Sequence, residues 1–122
     1  MPLTILYVED NKLVADTVSD TLTLEGWRVT LCRDGLSALH ELQSATHYDL
    51  LLLDQGLPHI DGLQLIRHAR TLAHRQHTPI IMLSANQCRD EARRVGADIF
   101  LQKPEGINHL VLTIMQLLHQ GA

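Results

Sequence analysis

The chain has 122 residues, of which 45% are hydrophobic and 20% are charged, and this composition predicts a single globular domain over residues 1–122. The net charge of −4, without a basic cluster, argues against direct nucleic-acid binding. No apolar run approaches the roughly 20 residues of a membrane span, and no signal peptide is visible, so we expect no membrane insertion. Cys32 and Cys88 lack a metal-type spacing, and we expect reduced thiols in the cytoplasm.

Short apolar segments alternate with segments of helical periodicity along the chain. The strands are expected at residues 3–8, 27–32, 49–53, 80–83 and 99–101. The helices are expected at about residues 11–25, 36–42, 62–73, 87–95 and 107–118. This alternation predicts an α/β fold, a flavodoxin-like (βα)5 three-layer sandwich with a parallel five-stranded sheet. Right-handed crossovers favour the strand order 2-1-3-4-5.

The third strand is the clearest signal in the sequence. Residues 50–53 are four consecutive leucines, which is typical of a strand buried on both faces of a parallel sheet. Asp54 follows directly, and turn-forming residues then lead into the third helix. Ligands of open α/β sheets bind at the carboxyl ends of the strands, so Asp54 is a candidate site residue.

Polar side chains also follow the other predicted strands. They are Glu9 and Asp10 after the first strand, Ser84 after the fourth and Lys103 after the fifth. Carboxylates this close would raise one another's pKa unless a cation lay among them. Oxygen ligands favour a hard divalent ion, and we expect Mg²⁺ or Mn²⁺.

Each of these residues also has a purely structural interpretation. Glu9 and Asp10 can favour the start of a helix, Asp54 can stabilise a turn, and Ser84 can cap the following helix. Lys103 can be an exposed loop lysine, and Phe100 can be an ordinary core residue. The eight histidines fit no closed metal site, and we expect them on the solvated surface.

Five motifs, in this order and at the predicted strand ends, resemble the receiver domain of two-component response regulators. They occupy residues 7–11, 54–62, 82–85, 96–98 and 100–104. The resemblance implies that Asp54 is the phosphoacceptor of a phosphorelay, attacking a phosphohistidine on a histidine kinase or a histidine phosphotransfer protein. It also implies a metal site formed by Asp10, Asp54 and the Gly56 carbonyl, with Glu9 acting mainly through a bound water.

The same resemblance assigns roles to residues around the phosphoacceptor. Lys103 and Ser84 would contact the phosphoryl oxygens, and Phe100 would turn inward as part of a switch. The switching surface would comprise the fourth helix, the fifth strand and the fifth helix. The expected docking surface for the phosphodonor protein comprises Asn11, Val14, Ala15, Val18 and Pro58.

The sequence departs from the receiver pattern at three places. The segment from Ser84 to Gly96 is about one helical turn shorter than in most receivers, which predicts a short fourth helix. Phe100 replaces the commoner tyrosine, so any switch would depend on packing alone. The last helix contains no lysine or arginine, which leaves Asp98 without an obvious basic partner across the receiver dimer face. We therefore predict that the chain does not form that dimer.

The leading alternative is a phosphorylation-independent receiver-like interaction module. The acceptor, the metal pair, the hydroxyl and the lysine all argue against it. A phosphoester hydrolase with an aspartyl nucleophile would need a second aspartate two residues after the first, which residues 9–11 do not supply. No glycine-rich nucleotide-binding loop follows the first strand. The chain contains no effector domain, so both a stand-alone receiver and the receiver of a longer regulator remain open.

Overall fold

A computed structural model describes residues 2–118. Its elements, in chain order, are β1 (Thr4–Val8), α1 (Lys12–Leu24), β2 (Arg28–Cys32), α2 (Gly35–Gln43), β3 (Leu50–Asp54), α3 (Gly62–Thr71), β4 (Ile80–Ser84), α4 (Arg89–Val95), β5 (Ile99–Gln102), α5 (Glu105–Asn108) and α6 (Leu110–Leu117). The strands form one parallel sheet in the order β2-β1-β3-β4-β5. The predicted flavodoxin-like topology is confirmed.

Two hydrophobic cores lie on opposite faces of the sheet. One core contains the buried residues of α1 and α6, and the other contains those of α2, α3 and α4. Every residue of β3 and β4 is buried. Because helices cover both faces of these central strands, their sequences show continuous apolar runs rather than alternation.

The helix α1 begins immediately after the acidic residues that follow β1. Its apolar residues Ala15, Val18 and Leu22 recur at helical spacing and are buried against the sheet. Asn11 is the N-cap residue, and its side chain accepts a hydrogen bond from the Val14 backbone N–H at 3.1 Å. This cap fixes the point at which the chain turns from the strand end into the helix.

The start of α3 packs tightly against the end of β3. Asp61 caps the helix in a capping box with Gln64, as each side chain accepts a bond from the other residue's backbone N–H. A Cβ atom at Gly62 would collide with the backbone oxygen of Asp54. Glycine at this position therefore allows α3 to approach the strand end that carries Asp54.

The structure differs from the predicted elements mainly near the carboxyl end. The single predicted last helix is two helices, because the backbone leaves helical geometry at His109 between α5 and α6. The fourth helix has seven residues, in agreement with the predicted shortening, but it begins at Arg89 rather than near Gln87. Within residues 2–118, no helix is both long and apolar enough to cross a membrane.

Candidate functional site

Three carboxylates meet where β1 and β3 end. Val8 pairs with Leu53 across the sheet, so Glu9 and Asp10 emerge beside Asp54. One oxygen atom from each of these three carboxylates lies within 4.8 Å of the others. Glu9 and Asp54 are 1% and 5% exposed, whereas Asp10 is exposed to solvent. The site therefore combines two buried acids with one that faces the solution.

Lys103 brings a positive charge into this acidic cluster. Its Nζ donates hydrogen bonds to Glu9 Oε1 at 2.7 Å and to Asp54 Oδ1 at 3.0 Å. Burial alone would lower the pKa of Lys103, but these two bonds and charges outweigh it and the pKa is raised. Burial, reinforced by the charge of Asp54, raises the pKa of Glu9 against the opposing effect of Lys103. The exposed-lysine interpretation of Lys103 is wrong.

Asp54 and Glu9 are likewise engaged in the acidic cluster. Asp54 is the last residue of β3, and the helix that follows is capped by Asp61 instead. The first turn of α1 contains no acidic residue, and the Glu9 carboxylate bonds to Lys103. Both carboxylates are thus placed inside the cluster, and Glu9 also accepts a 3.3 Å bond from the backbone N–H of Asn11 at the start of α1.

Ser84 and Phe100 lie on the neighbouring strands β4 and β5. The buried Ser84 Oγ accepts a hydrogen bond from the Asn86 backbone N–H at 3.0 Å. It does not cap α4, which starts after Cys88 without any side-chain cap. Phe100 is 3% exposed and belongs to the core, and the Arg89 guanidinium carbon lies 5.1 Å from the centre of its ring. Its aromatic ring is therefore in an inward position.

The donor set suits a small hard cation. Three carboxylates supply oxygen ligands only, which Mg²⁺ and Mn²⁺ prefer over softer donors. Gly56 is exposed, and even a Cβ atom there would lie 3.7 Å from Asp54 Oδ2. Glycine at position 56 therefore adds no side chain that could cover Asp54 Oδ2.

Arg33 is a site residue that the sequence did not reveal. Its guanidinium donates to the Glu9 carbonyl at 3.1 Å and to the Asp10 carbonyl at 2.7 Å. It follows β2, the neighbour of β1 in the sheet, and a basic residue at that strand end was the available signal. Arg33 holds the backbone of the two acidic residues in place.

The predicted docking surface needs correction. The side chains of Ala15 and Val18 are buried in the core, so they offer no surface to a partner protein. Asn11 and Pro58 are exposed, and Val14 is half-buried. Leu13, on the same helix as Val14, is 76% exposed.

Asp98 has a basic partner within its own chain. Arg70 of α3 donates to Asp98 Oδ2 at 3.1 Å, and the same oxygen accepts from the Ile80 backbone N–H at 2.8 Å. Arg70 also binds the carbonyls of Gly96 and Thr78, both at 2.7 Å. The carboxylate is therefore part of an internal network that joins α3 to the loop before β5.

Sequence comparison places these features in a known family. The family model of the response regulator receiver domain matches residues 5–115. The response regulator MprA of Mycobacterium sp. (strain KMS) is 32% identical, over 98% of this chain and 52% of MprA. A probable transcriptional regulatory protein of Mycobacterium tuberculosis, TcrX, is 30% identical, over 98% of this chain and 51% of TcrX. The chain thus spans about half the length of these curated relatives.

Solved structures agree with this assignment. The receiver domain of sensor histidine kinase PA1611 from Pseudomonas aeruginosa, described with a magnesium ion in its active site cleft, superposes with a TM-score of 0.88 at 30% identity, over 98% of this chain and 99% of that one. The chemotaxis response regulator CheY4 of Vibrio cholerae gives a TM-score of 0.88 at 28% identity, over 96% of this chain and 99% of that one. Sheet order and neighbours together define a CheY-like α/β fold. The chain belongs to the response regulator receiver domain family of two-component systems.

Proposed function

We propose that this domain accepts a phosphoryl group on Asp54 from a phosphohistidine of a histidine kinase or histidine phosphotransfer protein. An Asp54 oxygen attacks phosphorus, the bond from phosphorus to the histidine nitrogen breaks, and an aspartyl phosphate forms. The proposal is carried by the buried Asp54 carboxylate, which Lys103 contacts at 3.0 Å inside a cluster of three acids.

The surrounding residues supply positioning and charge. Lys103 neutralises phosphoryl oxygens, and the Ser84 hydroxyl donates to one of them. Asp10, Asp54 and the Gly56 carbonyl would hold Mg²⁺ or Mn²⁺, with Glu9 acting through a water. The metal, when bound, neutralises charge on the phosphoryl group. The chain acts on its own aspartate and is not an enzyme acting on separate substrates.

Phosphorylation would signal by changing the surface formed by α4, β5 and α6. Helix α6 covers most of the predicted fifth helix. Ser84 lies on β4 and Phe100 on β5, where Phe100 pairs with Met82, two residues before Ser84. We expect a shift of the Ser84 hydroxyl to reach the Phe100 ring through these paired strands. The curated relatives are about twice as long as this chain, which supports an effector domain in the whole protein. Docking of the phosphodonor on α1 would involve Asn11 and Leu13. We place these events in the cytoplasm.

Phosphorylation of the intact chain tests the proposal directly. We expect the wild type, incubated with Mg²⁺ and acetyl phosphate, to gain one phosphoryl group by intact-protein mass spectrometry. An Asp54→Asn variant should gain none, and chelation of the metal should abolish the gain. A folded wild type that gains no phosphoryl group would contradict the proposal and favour the phosphorylation-independent interaction module.

A further inference from the structure

Tyr7 carries a buried hydroxyl group next to the acidic cluster. Its side chain is 0% exposed, and no hydrogen-bond partner for its hydroxyl is found among residues 2–118. A buried polar group without a partner costs roughly 1–3 kcal/mol. Such groups are rare in folded proteins and call for a functional explanation.

The geometry of the sheet aims Tyr7 at the cluster. Alternate residues of a strand point to the same face, so Tyr7 and Glu9 share a face of the sheet. Tyr7 pairs with Leu52 on β3, two residues before Asp54, which places Asp54 on that face as well. Burial, followed by the negative charges of Glu9 and Asp54 and a hydrogen-bonding contribution from the Glu9 side chain, raises the pKa of Tyr7. The hydroxyl therefore lies close to the Glu9 carboxylate, although the two groups do not meet the geometry of a hydrogen bond.

Glu9 depends on Lys103 in the unphosphorylated chain. Its buried carboxylate accepts a 2.7 Å bond from Lys103 Nζ and a longer 3.3 Å bond from the Asn11 backbone N–H. A phosphoryl group on Asp54 would draw the lysine toward its own oxygens. The buried Glu9 carboxylate would then lose its closest protein donor, at a cost that a second protein donor beside the proposed metal-bound water would offset.

We propose that Tyr7 is a positioning residue of the phosphorylated state, whose hydroxyl donates to the Glu9 carboxylate when Lys103 moves to the phosphoryl group. This inference rests on the function proposed above. It explains why a hydroxyl without a partner is kept in the core. In the unphosphorylated chain the hydroxyl without a partner destabilises the fold. In the phosphorylated chain it donates a hydrogen bond to the Glu9 carboxylate.

The test compares Tyr7→Phe with Tyr48→Phe, using Mg²⁺ and beryllofluoride as a mimic of the phosphoryl group. Tyr48 is the matched control because it is the other tyrosine of the chain and its hydroxyl bonds to Glu41 instead. We expect Tyr7→Phe to weaken beryllofluoride binding about tenfold, the effect of losing one hydrogen bond to a charged group. Tyr48→Phe should bind as the wild type does. Without beryllofluoride, Tyr7→Phe should unfold at the same or a higher urea concentration than the wild type.

Fluorotyrosine labelling gives a second readout. The two tyrosines give two ¹⁹F resonances, which the Phe variants assign, and only the Tyr7 resonance should shift when beryllofluoride binds. Equal beryllofluoride affinity of wild type and Tyr7→Phe would overturn this inference while leaving the proposed function intact. If Tyr7 had only a structural role, Tyr7→Phe would lose the same amount of stability with and without beryllofluoride. That result would also overturn the inference. A wild type that binds no beryllofluoride would overturn the proposed function and this inference together.

Discussion

Charge balance at a few residues governs the candidate site. Two buried carboxylates, Glu9 and Asp54, share the single ammonium of Lys103, while Asp10 faces solvent. One cation between two buried acids leaves excess negative charge, which a divalent metal ion would offset. Arg33 adds a further positive charge nearby, but it binds backbone carbonyls rather than the carboxylates. The unphosphorylated site is thus arranged to attract cations.

A second residue-scale effect concerns Asp34 and acid stability. The Ser37 backbone N–H donates to Asp34 Oδ1 at 2.7 Å, and this bond lowers the pKa of Asp34. A carboxyl group with a lower pKa in the folded state stabilises the protein above its unfolded pKa of about 3.9, and that contribution is lost as the pH falls through the folded-state pKa.

We therefore expect Asp34→Asn, which keeps a capping side chain without a titrating group, to lose less stability than the wild type below about pH 4. Urea unfolding at a series of pH values measures this difference. Identical acid dependence of the two proteins would show that the bond to Ser37 does not couple to folding.

At the scale of elements, the position of α3 depends on one glycine. A Cβ atom at Gly62 would collide with the Asp54 carbonyl and come within 2.9 Å of the Met82 side chain. Gln55 ties the same junction together, since its side-chain oxygen accepts from the Leu63 backbone N–H at 2.8 Å. The strand end and the helix start are therefore coupled through backbone contacts.

We expect Gly62→Ala to destabilise the fold by about 1–3 kcal/mol, because overpacking must move either α3 or the end of β3. Gly56→Ala is the matched control, since a Cβ atom there meets nothing closer than 3.7 Å. Urea denaturation compares the two variants with the wild type. Equal stability of the two variants would contradict the close packing of α3 against Asp54.

At the scale of the whole molecule, Arg70 decides what Asp98 can bind. Asp98 accepts from Arg70 and from the Ile80 backbone within one chain, so its carboxylate is already engaged. The sequence offers Asp98 no basic partner across the receiver dimer face, and the structure gives it a partner within the chain, from α3. The predicted consequence for association is unchanged, because an engaged carboxylate is less available to a second copy.

We expect no symmetric dimer that depends on Asp98, with or without Mg²⁺ and beryllofluoride. Sedimentation equilibrium of the wild type and an Asp98→Asn variant tests this, and both should show the same association behaviour. A dimer that forms in the wild type and dissociates in Asp98→Asn would contradict the prediction.

The strand order and the convergence of the acids at one edge of the sheet were predictable from the sequence. Apolar runs identify buried parallel strands, right-handed crossovers favour one order for them, and the carboxyl ends of such strands meet. The contacts that these residues make could be read only from the folded chain. The bonds from Lys103 to Glu9, from Arg33 to Asp10 and from Arg70 to Asp98 join residues 94, 23 and 28 positions apart. Such contacts depend on how helices pack on the sheet, and the same packing buried Ala15 and Val18, which the sequence had predicted at a docking surface.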